Sequence, residues 1–331
     1  MILRLFKGTG PGVIFLISVT LLLLWAGSFI NPATEQAALY DKYPLPLYSL
    51  LKTLLGNIPY AGILFSMIVV AVIAFITVSF NTADFFIHER TFFPAFFYIL
   101  LSGIFPGYQG FNPVIPASLF LLFAIIRIND VYRKAGTASN FFDAGLLIGT
   151  GSLFYGNLIW FMLIILIGIA IFRSFNIIEI ATSFIGLLAP WVLTFSFYYV
   201  FGKDPGSLIP LIKNNLAGLP EMYLFSTAEI VVLALISVVL LVSFVFLLMS
   251  MNSKKIKSRK TFYLLIWVFL VTVALYAFVP SVSVEIVWIL FIPFSYLLTH
   301  YFLFIKRGLF REIFFYLLLS QILLMQVLHL F

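Results

Sequence analysis

Carboxylates are scarce enough in this chain to weigh one by one: 12 Asp and Glu in 331 residues. Glu35 and Asp41 follow directly on the first long apolar run. Asp204 and Glu221 lie in a second polar connection, and Glu229 and Glu285 stand just ahead of further apolar runs. A carboxylate at the edge of an apolar phase can serve as a general base when partial burial makes its charged form costly. It can also hold a divalent cation that carries a phosphate-linked substrate. Glu35 and Asp41, close together after the first run, are the candidates for base or metal ligand. The same connections carry Lys42, Lys52, Lys203 and Lys213, the cations available to a lipid phosphate.

Other polar groups suggest less chemistry. Asp84 and His88 stand four residues apart, a spacing that would put both on one helical face and allow a metal pair, but a solvated turn is the better account of them. Arg127, Asp130, Arg133 and Lys134 read as anchors for anionic headgroups, as does the basic run 254–260; neither reads as a nucleic-acid site. The three histidines, His88, His300 and His329, fall at the ends of different apolar runs, so no multi-histidine iron or heme site can be built from them. Glu179 and Asp143 sit near run ends, within reach of an interface. Gly145 and Gly149 form a G-x-x-x-G with no preceding strand and no following Lys-Ser/Thr, which points to close helix packing rather than a phosphate loop. The absence of cysteine excludes disulfides, thiolate metal sites and cysteine nucleophiles.

The elements that must position these residues are apolar helices. Mean hydropathy is +1.16, 63% of residues are hydrophobic and 9% are charged, where a soluble domain carries roughly 25% charged residues. Runs near the ~20 residues that cross a hydrocarbon core recur along the whole chain. The expected fold is all-α: a polytopic transmembrane helix bundle forming one integral membrane domain over residues 1–331. Eleven spans are predicted, at about 12–30, 61–80, 92–105, 113–128, 142–155, 158–172, 178–201, 227–250, 261–279, 286–304 and 313–331. The first lacks a small-x-small cleavage site and reads as a retained helix. No single run carries a charge at its middle, which weakens ion-coupled transport, and no inverted repeat is visible.

Lysine and arginine orient the bundle. With the N-terminus inside, Arg4, Lys7, Arg90, Arg127, Arg133, Lys134, Arg173, Lys254, Lys255, Lys257, Arg259, Lys260, Lys306, Arg307 and Arg311 share one side, fifteen against four on the other. That bias predicts a cytoplasmic N-terminus and a multi-pass protein of the bacterial inner membrane, with 31–60 and 202–226 as long periplasmic connections. Both connections carry helical spacing. Leu47, Leu50, Leu51, Leu54 and Leu55 follow one face behind Pro46, and Leu208, Leu211, Ile212 and Leu216 repeat it. Short amphipathic helices of this kind lie in the membrane interface.

The order of parts resembles the seven-span module of GT-C glycosyltransferases: a first helix, an outer loop with acids, a juxtamembrane helix, an inner polar turn, a short hairpin, the stretch AGLLIGTGSLFYGNL (144–158), and FIGLLAPW (184–191) leading into another outer loop. The resemblance would place that module in residues 1–226, with four additional spans in 227–331. It implies transfer of a sugar from a polyprenyl-phosphate carrier in cell-envelope assembly, with Glu35 or Asp41 as base or metal ligand. The stretches ERTFFPA (89–95), GFNPVIP (110–116) and GLLAP (186–190) resemble an uncharacterised family of multi-spanning Bacteroidota inner-membrane proteins, which brings no activity with it. The chain departs from GT-C enzymes in lacking an adjacent acidic pair after the first span and a large soluble domain. Two rivals therefore stand beside the glycosyltransferase: a non-catalytic subunit or scaffold of an envelope complex, and a transporter or flippase for a lipid or other apolar substrate. No cofactor is evident beyond a divalent ion; membrane lipids, a polyprenyl-phosphate carrier and complex subunits are the expected partners.

Overall fold

The computed structural model describes residues 3, 6, 8–32, 39–56, 58, 60–173, 176–219, 226–305 and 308–330. Among them run fourteen α-helices: α1 Pro11–Ile30, α2 Leu39–Lys42, α3 Pro46–Leu55, α4 Ala61–Asp84, α5 Phe93–Ser102, α6 Val114–Asn129, α7 Ala138–Ser152, α8 Met162–Phe172, α9 Ile177–Val200, α10 Leu208–Ala217, α11 Thr227–Ser250, α12 Ile256–Phe278, α13 Val287–Phe304 and α14 Gly308–Leu330. Seven of these helical stretches are long and apolar enough to cross a membrane, which makes this a multi-pass membrane protein. They coincide with the first, second and last five predicted spans.

The four short predicted spans correspond to α5, α6, α7 and α8, of 10, 16, 15 and 11 residues. At 1.5 Å per residue, α5 alone rises only about 15 Å, half a hydrocarbon core. These helices differ from the long ones in position as well as length. Every residue of α5 is buried, as is the first turn of α6. The stretch containing α13 is 83% buried, while those of α9, α11 and α14 are 28% buried. A helix that is apolar all round belongs in an interior, so α5, α6 and α13 form the middle of the bundle and the long, lipid-length helices surround it.

Local sequence explains the boundaries. Pro11 and Pro46 open α1 and α3, where a missing N–H costs nothing. Ser226 and Glu229 form a capping box at the start of α11, and Asn176 caps α9 by accepting from the Ile178 N–H. The chain reverses after α4 because Phe85 adopts a left-handed conformation (φ 49°). Buried Asn81 pins that reversal, accepting from the Ile87 N–H at 3.0 Å and donating to the Glu89 carbonyl at 3.1 Å. Of the two readings of Asp84 and His88 this leaves the turn: the helix ends at Asp84, so the two do not share a helical face.

The glycine motif does what its spacing suggests. A Cβ on Gly145 would stand 2.1 Å from the Ser183 carbonyl oxygen, one on Gly149 2.4 Å from that of Leu187, and one on Gly186 2.2 Å from that of Phe142. Helices α7 and α9 therefore pack backbone against backbone, an approach only small residues permit.

Helix ends gather at two ends of the bundle. At one, the Asn31 side chain donates to the His329 carbonyl, Ser28 to Gln109, and the Leu47 N–H to the Leu153 carbonyl. At the other, Lys257 binds Asp84, Thr137 donates to Glu179 at 2.5 Å, and Arg173 donates to the Lys134 carbonyl. The second end holds the described basic turns; the first holds α2, α3 and α10.

Candidate functional site

The helix spacings in the two long connections are borne out by α3 and α10, and the structure brings the connections together. Asn215, on α10, donates to the Tyr43 carbonyl at 2.8 Å, and its own carbonyl accepts from Asn157 at 3.2 Å. Ser281 donates to Asn157 Oδ1 at 3.1 Å and to the Leu216 carbonyl at 2.9 Å. Leu45, Leu153 and Trp191 form a small apolar cluster beneath, with Leu211 and Ile212 packed on it. On α3, Leu47 and Leu51 face the core, while Leu50 and Leu54 stay exposed, as an interfacial helix requires.

Under this cover sit two carboxylates. Asp41, on α2, accepts at one oxygen from the Tyr48 hydroxyl at 2.9 Å and from Lys52 Nζ at 2.6 Å. Tyr48 and Lys52 reach it together because they stand one turn apart on α3. Tyr48 is held by a stacked contact with Phe111 and an edge contact with Tyr40. The second carboxylate is Glu285, in the single turn Val284–Ile286 ahead of α13, with 4% of its surface exposed. Tyr40 donates to its Oε1 at 3.4 Å and Ser283 to its Oε2. No basic group pairs with Glu285 among the described residues. A glutamate this buried without a cation is rare.

Tyr40 couples the two acids. Burial, followed by the negative charge of Glu285 and then smaller contributions including that of Asp41, pushes its phenol well above its ordinary pKa. It therefore remains a neutral donor at any physiological pH.

The other candidate residues are placed variously. Glu35 and Glu221 lie outside the described residues. Lys52 is bound to Asp41 with its side chain 40% exposed. Lys42 is exposed at the end of α2, Lys213 is exposed on α10, and Lys203 lies 5.4 Å from the Tyr198 ring centroid. Asp204 caps its own turn by accepting from the Gly206 N–H, and Glu229 serves its capping box. Glu179, expected near an interface, is buried between Thr137 and Arg173 at the opposite end. Among the described residues no three His, Asp or Glu side chains gather into a metal-binding group. In sequence Glu285 does not stand out from the other acids of its side. The one available signal was an acid set immediately before an apolar run that carries no other carboxylate.

No curated protein and no solved structure matches this chain. Residues 47–331 match the model of a family of unknown function, DUF6427, and that match covers most of the sequence. This multi-helical, apolar chain thus belongs to DUF6427, a family of unknown function.

Proposed function

We propose that this protein is a membrane enzyme of the cell envelope that transfers a sugar from a polyprenyl-phosphate carrier, working at the end of the bundle covered by α2, α3 and α10. The observation that supports this most is Glu285: a buried carboxylate with no cationic partner among the described residues, lying under two connections that pack on one another. Deprotonated Glu285 removes the proton from an acceptor hydroxyl as its oxygen bonds to the sugar's anomeric carbon. The carbon–oxygen bond to the carrier phosphate breaks, and the phosphate leaves with the electron pair. Lys52 turns from Asp41 toward that phosphate, and Asp41 with Tyr48 keeps the lysine positioned until substrate arrives. Lys42, Lys203 and Lys213 supply further positive charge near the interface. The membrane is the bacterial inner membrane and the working face is periplasmic, in line with the lysine and arginine bias.

A second reading, a non-catalytic subunit of an envelope complex, is favoured by Asp41, whose described bonds to Lys52 and Tyr48 serve structure as well as chemistry. One experiment separates the two. In a strain lacking the gene, Glu285→Gln and Asp41→Asn are expressed and surface glycans are profiled alongside protein abundance. Glycan loss at unchanged abundance supports the enzyme. Full complementation by Glu285→Gln removes it, and loss of a co-purifying subunit in either variant supports the scaffold.

A further inference from the structure

Helices α11 and α12 are consecutive, and both lie against α13. Between them is a cavity of about 330 Å³, walled by Phe244 and Leu247 from α11, Phe262 and Phe269 from α12, and Pro293 and Phe294 from α13. Ser237 is the one wall residue with a polar side chain. On α11 the wall runs from Ser237 to Leu247, a rise of about 15 Å, the depth of a single leaflet's hydrocarbon.

The groove runs toward the basic end of the bundle, where Lys254 packs over Phe262, one of its walls. Lys254 Nζ lies 5.0 Å from the centroid of Phe262, a wall residue, and 5.6 Å from that of Phe304. Its polar partner is Nε2 of His300 at 2.7 Å, and no carboxylate binds it among the described residues. His300 is buried, and its Nδ1 has no partner among those residues. Lys255 is exposed alongside, and the fields of Lys254 and Lys255 both reach His88. The nearby acid Asp84 is already taken by Lys257 and Asn129. Burial lowers Lys254 to about 8, which leaves it mostly charged at neutral pH and without an anion. The site combines an apolar slot one leaflet deep with a cation that packs on one of its walls and has no anion among the described residues.

We propose that the groove between α11, α12 and α13 holds an acyl chain of an anionic glycerophospholipid whose phosphate rests on Lys254 and Lys255. This assignment concerns the end of the bundle opposite Glu285 and stands apart from the reaction suggested there. Complementary charge favours an anionic lipid over a zwitterionic one, and the slot favours a lipid over free phosphate.

The test uses the full chain, delipidated in detergent and returned phosphatidylglycerol or phosphatidylcholine with identical acyl chains, with bound lipid counted by native mass spectrometry. Phosphatidylglycerol is expected to be retained about tenfold better than phosphatidylcholine. Lys254→Gln should bring the two close together, and Lys254→Arg should keep the preference. Leu241 lines the groove yet is 61% exposed, so Leu241→Trp tests the slot with little risk to folding; it should weaken both lipids. Equal retention by the wild-type protein overturns the proposal, as does unchanged binding in Leu241→Trp. Displacement of phosphatidylglycerol by millimolar inorganic phosphate alone would mark a simple anion site and overturn it as well.

Discussion

Replacing Gly186 or Gly145 by alanine should open the α7–α9 crossing. The Gly145 Cβ would lie 2.1 Å from a backbone oxygen, about 1.3 Å short of ordinary contact at 3.4 Å, and the Gly186 Cβ is nearly as crowded at 2.2 Å. A carbonyl inside a helix cannot swing aside as a side chain can, so the whole helix has to move. Opening a packed interface by 0.5–1 Å forfeits a quarter to a half of each contact's attraction. Overpacking of this kind costs about 1–3 kcal/mol, and alanine returns about 0.5–1 kcal/mol through its better helix propensity. A clash this close places the cost in the upper half of that range, at about 2–3 kcal/mol, so the net expectation is a loss of about 1–2.5 kcal/mol for either variant. Because both substitutions strain one crossing, the double variant should cost less than the sum by about 0.5 kcal/mol or more. Unfolding in mixed micelles with increasing SDS, followed by tryptophan fluorescence, measures this. Gly12→Ala is the control: no atom lies within 4 Å of its added Cβ, so it should be neutral or mildly stabilising. Stabilities of Gly145→Ala and Gly186→Ala within about 0.5 kcal/mol of wild type would refute backbone-to-backbone packing here.

Other perturbations test the polar contacts. Asp84→Asn leaves Lys257 facing a neutral group in a pair whose acid is 9% exposed, and should cost about 2 kcal/mol in the same assay; adding Lys257→Met should recover part of that loss. Gln109→Leu removes a buried side chain that accepts from Ser28 at 2.5 Å and donates to the Ser102 carbonyl at 2.9 Å; a loss of about 1–2 kcal/mol is expected, read from the same titration. Lys254 should make stability depend on pH. Its folded value of about 8 lies below the ordinary 10.5, so between these values the unfolded chain binds more protons and stability rises with pH. Relative to a Lys254→Met variant, wild type should therefore gain thermal stability from pH 8 toward 10, and a gap independent of pH would count against the burial of that ammonium.

Long-range structure was legible in the sequence wherever it depends on composition or local spacing. The lipid-length runs became α1, α4, α9 and α11 to α14 because length and apolarity suffice to specify them. The Gly145–Gly149 spacing pointed to close packing because a helix brings residues four apart onto one face. The two interfacial helices followed from leucine spacing in the same way. What was not legible depends on pairs far apart in the chain. Asp84 meets Lys257 across 173 positions, and Glu285 meets Tyr40 across 245. Neither residue announces its partner, and Glu285 reads like any solvated acid until Tyr40 is laid over it. The turn after Asp84 was the favoured reading over a shared helical face, but its cause was hidden: nothing in the spacing of Asp84 and His88 shows that Asn81 pulls the backbone at Phe85 into a left-handed turn. Lys52 and Asp41 both stood out in the sequence as polar residues of one connection, but their bond to each other needed the turn between α2 and α3.

The placement of α13 bears on how such a chain is made. The most enclosed of the seven membrane-length helices is α13, and α14 returns to α1, where His329 meets Asn31. A ribosome feeding the chain into a bilayer therefore delivers most of the outer wall before the one long helix of its centre. Until residue 304 has emerged, α5 and α6 have α1, α4 and α7 against them but lack α13, and the growing chain must wait in lipid with the middle of its bundle unfilled. Translation arrest or truncation before α13 should leave an inserted but unassembled protein, a ready substrate for membrane proteases, rather than a smaller folded one.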